Sequence, residues 1–318
     1  MASSPSVRSD YLRWLSQALG SARVEAVSGS GTVDVVAGYA TGYDAHHIAP
    51  FVRSLRSVFD GEIALAADAR PDVQALFAEY GVRFLAQPQT QGWQPHPVMA
   101  RFAAVDAHLS GRADVRNVLL TDVRDVIFQK APFQPAPEGL EVFLEGNRLA
   151  DHAFDMKYLR ALAGDAIADD LAPAPAICVG TVLGPRADMV RFCRTVLMLA
   201  AVPRSEMGGS FGADQAACNM AIHMGLVEAE VRENYGRVAT IGLAAADGFA
   251  FRDGQVVNPD GTVSAIVHQH DRHPILAEAV RGRWAVGLEP RERVTPRTLA
   301  SRLQRLEQSF VRRIPEAR

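Results

Sequence analysis

The residues best suited to chemistry stand in the stretch Val118-Leu119-Leu120-Thr121-Asp122-Val123-Arg124-Asp125-Val126-Ile127-Phe128. An aliphatic run climbs into two carboxylates and a guanidinium, then turns apolar again. A short aliphatic run after a polar stretch, here Gly111 to Asn117, reads as a buried strand. Ligands of α/β sheets bind beyond the carboxyl ends of the strands. Charge at such an edge is costly to desolvate unless it binds something. Asp122 and Asp125 are hard oxygen donors, suited to Mg2+ or Mn2+. The plain alternative is a helix or turn cap supplied by Thr121 or Asp122. Further polar clusters fall at predicted element ends: Thr41 to Asp44, Asp214-Gln215, and His268 to His273. His268 is the first histidine after an apolar strand, which favours it over His270 as a ligand.

The elements that must position these groups alternate along the first part of the chain. Strands are predicted at Val33 to Gly38, Ile63 to Ala67, Val82 to Leu85 and up to Asp122. Helices are predicted at about Ile48 to Val58, Pro71 to Tyr80 and Val98 to Leu109. This spacing predicts an α/β fold with a Rossmann-related, mostly parallel central sheet flanked by helices. No G-x-G-x-x-G follows the first strand and no P-loop occurs, which argues against those phosphate sites. The second half is more mixed. A strand over Glu141 to Glu145 runs into Gly146-Asn147-Arg148. Two glycines in the strand Ile177 to Gly184 predict a bulge or a close approach by a ligand or another backbone. A helix over Met189 to Ala201 and the loop Met207 to Gly212 precede a helix over Ala213 to Ile222. Asp253-Gly254 and Asp260-Gly261 predict tight hairpins, and a last strand spans Val263 to Val267.

Composition bounds the rest. The chain has 318 residues, 48% hydrophobic and 22% charged, enough to bury a large core. A formal net charge of -3 provides no basic field for nucleic acid. Cys178, Cys193 and Cys218 lie among apolar residues and read as buried free thiols in a reducing compartment. No segment reaches transmembrane length, and Met1 to Asp10 carries no signal-peptide core. A cytoplasmic location is expected. Residues 1–31 read as an N-terminal extension with helical apolar spacing over Tyr11 to Leu19. Residues 32–290 read as the catalytic domain, and 291–318 as a basic amphipathic helix with Leu299, Leu303 and Leu306 among Arg302, Arg305, Arg312 and Arg313. That helix is the candidate for peripheral attachment to the inner face of a membrane.

The order of the polar clusters resembles that of glycosyltransferases of the GT-A fold, over roughly residues 33–275. Val33 to Gly38 with Thr41 and Tyr43 resembles the first strand and nucleotide-gripping loop. Arg101 lies in the helix before the acidic strand end, like an arginine that reaches the nucleotide-sugar. Leu119 to Phe128 resembles the acidic motif, and Cys178-Val179-Gly180-Thr181-Val182-Leu183-Gly184 the Asn-x-Gly strand. Asp214-Gln215 with Asn219 resembles a recurrent helix start. His268 resembles the histidine that completes the metal site in several retaining members.

The resemblance implies a nucleotide-diphosphate sugar as donor, bound in a half spanning about 32–135. It implies a glycan or glycoconjugate acceptor, as in polysaccharide biosynthesis, in a half spanning about 136–290. Ala40, Thr41, Tyr43, Arg101, Asp122 and Arg124 would hold the donor. Asp122, Asp125 and His268 would hold Mn2+ or Mg2+. Asp214 and Gln215 would be catalytic, with Asn147, Gly180, Thr181 and Asn219 on the acceptor side and the anomeric configuration retained.

Two departures stand out. Arg124 replaces the second carboxylate of Asp-x-Asp, and Cys178 stands where asparagine is frequent. In a straight strand Arg124, two positions on, would point with Asp122 and could neutralise a diphosphate itself. If the chain turns at Val123, Asp125 converges with Asp122 instead. Each group also has a plainer role: Thr41 and Tyr43 as loop residues, Asp214 as a helix N-terminal charge, Arg101 as a weak partner of Asp106, Trp93 as packing rather than a lid. Two other functions fit the same residues: a nucleotidyl or phosphoryl transferase, and a non-catalytic nucleotide- or sugar-binding module.

Overall fold

The strand β1 (Val33–Tyr39) is aliphatic on both faces because it lies inside a sheet. It pairs in parallel with β2 (Glu62–Ala66) on one side and β4 (Val115–Asp122) on the other. The computed structural model describes Trp14 and residues 31–86, 96–201, 212–245 and 248–290. The rest of the Tyr11 to Leu19 segment, Trp93, the loop from Met207 and the basic C-terminal helix lie outside these residues.

With β3 (Val82–Phe84), β6 (Glu141–Arg148), β7 (Pro175–Pro185) and β8 (Glu230–Arg232), the sheet has seven strands in the order β3-β2-β1-β4-β7-β6-β8. All its neighbour pairs are parallel except those made by β7, which is antiparallel to both β4 and β6. The sheet is therefore mostly parallel, as predicted, and continues through both predicted halves. The described residues up to Leu288 belong to one compact unit.

Helices α1 (Ala45–Arg56) and α2 (Pro71–Tyr80) cover one face of the sheet. Asp44 caps α1 by accepting from the His47 amide at 3.0 Å. Pro71 starts α2, and left-handed Gly81 ends it at φ 61°. The other face is covered by α3 (Pro97–Leu109), α4 (Ala153–Ala163), α5 (Asp165–Leu171), α6 (Arg186–Ala201) and α7 (Ala213–His223). Trp14 is buried in this second core, so that residue of the predicted extension is not peripheral. Helices α4 and α5, and α8 (Pro274–Trp284), were not legible in the sequence.

A second, three-stranded sheet has the order β5 (Val126–Phe128), β12 (Ile266–His268), β9 (Val238–Thr240). Its register sets His268 opposite Val126, the residue that follows Asp125. The strands β10 (Ala250–Arg252) and β11 (Gln255–Val257) form the predicted hairpin. Asp253 and Gly254 between them are left-handed, with φ of 51° and 76°, as a primed turn requires. The second predicted hairpin is corrected. Gly261 is left-handed, but this turn only links Asn258 to Thr262, and β12 pairs with β5 and β9 instead. Cys178, Cys193 and Cys218 are buried and free. Among the described residues no helix is long and apolar enough to cross a membrane.

Asp106 is fully buried between α3 and α6. Arg194 meets it with Nε at 2.7 Å and Nη2 at 3.2 Å, so Asp106 is not the partner of Arg101. Removing one member of such a pair strands the other charge. Arg194→Ala is expected to lower unfolding free energy by about 3 kcal/mol. In urea denaturation the double variant with Asp106→Ala should lose less than the single one.

Candidate functional site

The backbone bends at Val123, and Arg124-Asp125 form a turn before β5 begins. That turn brings Asp125, not Arg124, round to Asp122. Asp122, Asp125 and His268 each offer a ligand atom, and these atoms all lie within 4.8 Å of one another. His268 Nε2 is 3.5 Å from Asp122 Oδ2 and 3.9 Å from Asp125 Oδ1. Arg124 instead pairs with Asp271 at 2.8 Å, its guanidinium 5.8 Å from the centre of the Tyr43 ring.

Three features fit this cluster to a divalent cation. The donor set, two carboxylates and an imidazole, is of the right chemistry. His268 Nε2 is buried and makes no hydrogen bond. Gly180 lies directly against the cluster: a Cβ there would stand 2.2 Å from His268 Cε1 and 2.8 Å from Asp122 Oδ2. The close approach at Gly180 is to side chains of the site, whereas at Gly184 it is to another backbone, with the Leu140 Cα 2.9 Å from where a Cβ would stand. Asp44, His46 and His47 also lie close together, but Asp44 is spent on capping α1 and on His47 Nδ1, at 2.5 Å.

Arg101 projects from α3 into the same place and is 3% exposed. It donates to Asp122 from Nη1 and to Asp214 from Nη2, the latter at 2.9 Å. Arg101 and His268 outweigh the cost of desolvating Asp122 and hold its carboxyl well below the usual range. Burial pushes Asp125 up, and His268 offsets this only in part. Burial likewise raises Asp214 against the pull of Arg101. For His268, burial opposes the charged ring, but Cys178, Asp122 and Asp125 outweigh it and raise its pKa well above the histidine norm. His270 lies buried outside the cluster and is pushed down to about 4 by burial.

These groups open on one cavity of about 510 Å³, a size suited to a small-molecule ligand. Thr41, Tyr43, Arg101, Asp122, Arg124, Asp125, Gly180, Asp214, Gln215 and His268 all line it, as sequence reasoning anticipated. Tyr39, at the end of β1, joins Thr41 and Tyr43. Beyond β4 and β7, the second half of β6 and the start of α4 contribute Glu145, His152, Phe154 and Asp155.

Four predicted residues are not among the lining. Ala40 is buried, its amide bonded to Ala66 O at 2.7 Å. Thr181 is buried on the opposite face of β7 from Gly180, as strand alternation requires. Asn219 is buried and exchanges two 2.9 Å hydrogen bonds with the Ile177 backbone, so it fastens α7 to β7. Asn147 donates to Arg148 O at 3.2 Å.

Glu145 was missed, although it ends the predicted strand as Asp122 does: β6 runs parallel to β4, so its carboxyl-terminal half, which continues to Arg148, meets the same edge. Gln215 uses its amide to hold this wall. It accepts from the Val179 amide at 3.0 Å and donates to Ile177 O at 2.9 Å and Glu145 Oε1 at 2.6 Å. Burial, then Asp155, raises the pKa of Glu145. Nothing in sequence spacing announced His152, Phe154 or Asp155. No family model matches this chain, and no curated protein matches it either.

Two predictions follow from the cluster. A cation needs Asp125 ionised and His268 bare at Nε2, and both groups hold their protons more tightly than usual. Mn2+ affinity should therefore rise with pH, with protons released on binding, as titration calorimetry in buffers of different ionisation enthalpy reads directly. Gly180→Ala should weaken Mn2+ binding by about tenfold or more with an unchanged circular dichroism spectrum.

Proposed function

We propose that the protein is a GT-A-like glycosyltransferase that moves a sugar from a nucleotide-diphosphate sugar to a glycan or glycoconjugate acceptor. Asp122, Asp125 and His268 would hold Mn2+ or Mg2+. One observation carries this reading: the cluster lies between Tyr39 and Tyr43 at one end of the cavity and Glu145 and Asp155, with Phe154, at the other. A donor needs a surface for its base, charge neutralisation for its diphosphate and acceptors for its sugar hydroxyls, in that order.

The residues divide accordingly. Tyr43 offers a ring for the base and Thr41 a hydroxyl. Arg124, at the same end, offers a guanidinium to phosphate oxygens. Arg101 fixes Asp122 and Asp214 in place rather than meeting the donor. A bound divalent cation would stabilise the charge that builds on the departing diphosphate. At the far end Glu145, oriented by Gln215, accepts a hydrogen bond from the acceptor hydroxyl and faces the positive charge that develops at the anomeric carbon. Asp214 and Gln215, expected to be catalytic, act here by holding Arg101, β7 and Glu145. Retention of configuration remains what the family resemblance implies.

Thermal-shift measurements with nucleoside diphosphates and nucleotide sugars test this reading. Stabilisation should require Mn2+ and disappear in Asp125→Ala. Metal-independent stabilisation lost in Arg124→Ala would mean cationic phosphate binding instead. Pyrophosphate release from a nucleoside triphosphate would mean nucleotidyl transfer. No response to any nucleotide would sink the proposal. Glu145→Gln should cut transfer by about 100-fold or more while leaving nucleotide binding unchanged.

A further inference from the structure

Cys178 stands behind the candidate cation site rather than in it. Its thiol is not among the three groups whose ligand atoms converge within 4.8 Å. It is 4% exposed, and Sγ lies 3.5 Å from His268 Nδ1. Two N–H groups also face the same sulfur: Gln269 Nε2 at 4.0 Å and the Gly180 amide. Gln269 is held in this position. Its backbone is left-handed at φ 62°, and its side chain presses on Gly242, where a Cβ would meet Gln269 Oε1 at 1.8 Å. A non-glycine residue in that conformation costs free energy and persists only where its surroundings enforce it.

A thiol can accept from a ring nitrogen or donate its S–H to it, so the tautomer of His268 sets the direction of this contact. A cation bound at Nε2, in the space between Asp122 and Asp125, requires the ring proton on Nδ1, where Cys178 Sγ is the group placed to accept it. Nε2 is buried, unbonded and aimed into that space. Given the reading of that cluster as a cation site, the geometry points to Cys178 as the positioning residue that fixes the metal-binding tautomer of His268, through an Nδ1–H···S hydrogen bond. Metal-bound histidines usually lean on a carboxylate, carbonyl or water for this purpose. The plainer role for a buried cysteine is to fill space as a small hydrophobe, and the two roles separate experimentally.

The test uses Mn2+ alone on the full chain, with free Mn2+ followed by electron paramagnetic resonance. Cys178→Ala removes the acceptor and should weaken binding by about tenfold or more. Cys178→Ser keeps an acceptor and should stay within about threefold of the parent. Should Cys178→Ala lose its folded circular dichroism spectrum, Cys178→Val has similar volume, lacks a hydrogen-bonding group and carries the same expectation. Unchanged affinity in the alanine or valine variant overturns the inference. So does an equal loss in the serine and alanine variants, which would make sulfur volume the cause. A parent chain that binds no Mn2+, or binds it as well after Asp125→Ala, refutes the cation site itself, and the role of Cys178 falls with it.

Discussion

The site depends on one buried cation. Arg101 is almost wholly excluded from solvent, and an unpaired guanidinium there would cost several kcal/mol. It is tolerable because carboxylates reach it from two other elements, Asp122 at the end of β4 and Asp214 at the start of α7. The pairing is reciprocal. Arg101 keeps Asp122 ionised and turns one of its oxygens inward, leaving Oδ2 toward His268. It also fastens the first turn of α7 over the sheet, and from that turn Gln215 reaches β7 and Glu145. Three helix and strand ends are thus placed relative to one another by one guanidinium, and the cavity wall is built on them.

The reversal of β7 is the second condition. A strand parallel to β4 would present its carboxyl end at this edge. Because β7 runs the other way, with Thr181 opposite Thr121, its residues Ile177 to Gly180 pass beyond Asp122 and cover the site. Backbone then stands where a side chain would block the cluster, and Gly180 is the residue that lets it approach. The same reversal presents the sulfur of Cys178 to the far side of His268. Asn219 and Gln215 anchor this length of strand through the backbone of Ile177 and Val179, at sites where no second β7 neighbour could serve.

Legibility in the sequence followed the reach of the forces involved. The alternation of the first half and the strand ending at Asp122 were readable, because hydrophobic periodicity and strand burial are local. So was the gathering of Thr41, Tyr43, Arg101, Asp122, Asp214 and His268 at one edge, since strand ends share it. The turn at Val123 was not readable, because it depends on β5 pairing with β12, residues some 140 positions later in the chain. Asn147 was placed on the acceptor side, although the strand rule alone selects Glu145. Thr181 and Asn219 were assigned to a ligand, whereas strand alternation and two backbone hydrogen bonds turn them into the core. The start of α4 brings His152, Phe154 and Asp155 to the cavity, and no motif in the sequence marked that helix.

The charges around the cavity explain why a cation matters to any reading with an anionic ligand. Five carboxylates line it: Asp122, Asp125, Glu145, Asp155 and Asp214. Arg101 is matched by Asp122 and Asp214, and Arg124 is engaged by Asp271. That leaves Asp125, Glu145 and Asp155 against Arg272 and the histidines, and burial already pushes all three carboxyls up. A diphosphate entering such a place adds negative charge beside these buried carboxyls. The chain has arranged its strongest fixed guanidinium to orient carboxylates rather than to receive phosphate. On the proposed reading, the complement is a divalent ion at the convergence of Asp122, Asp125 and His268. It would reverse the local sign, ionise Asp125, and give the nearby Arg124 a reason to exchange Asp271 for a phosphate oxygen.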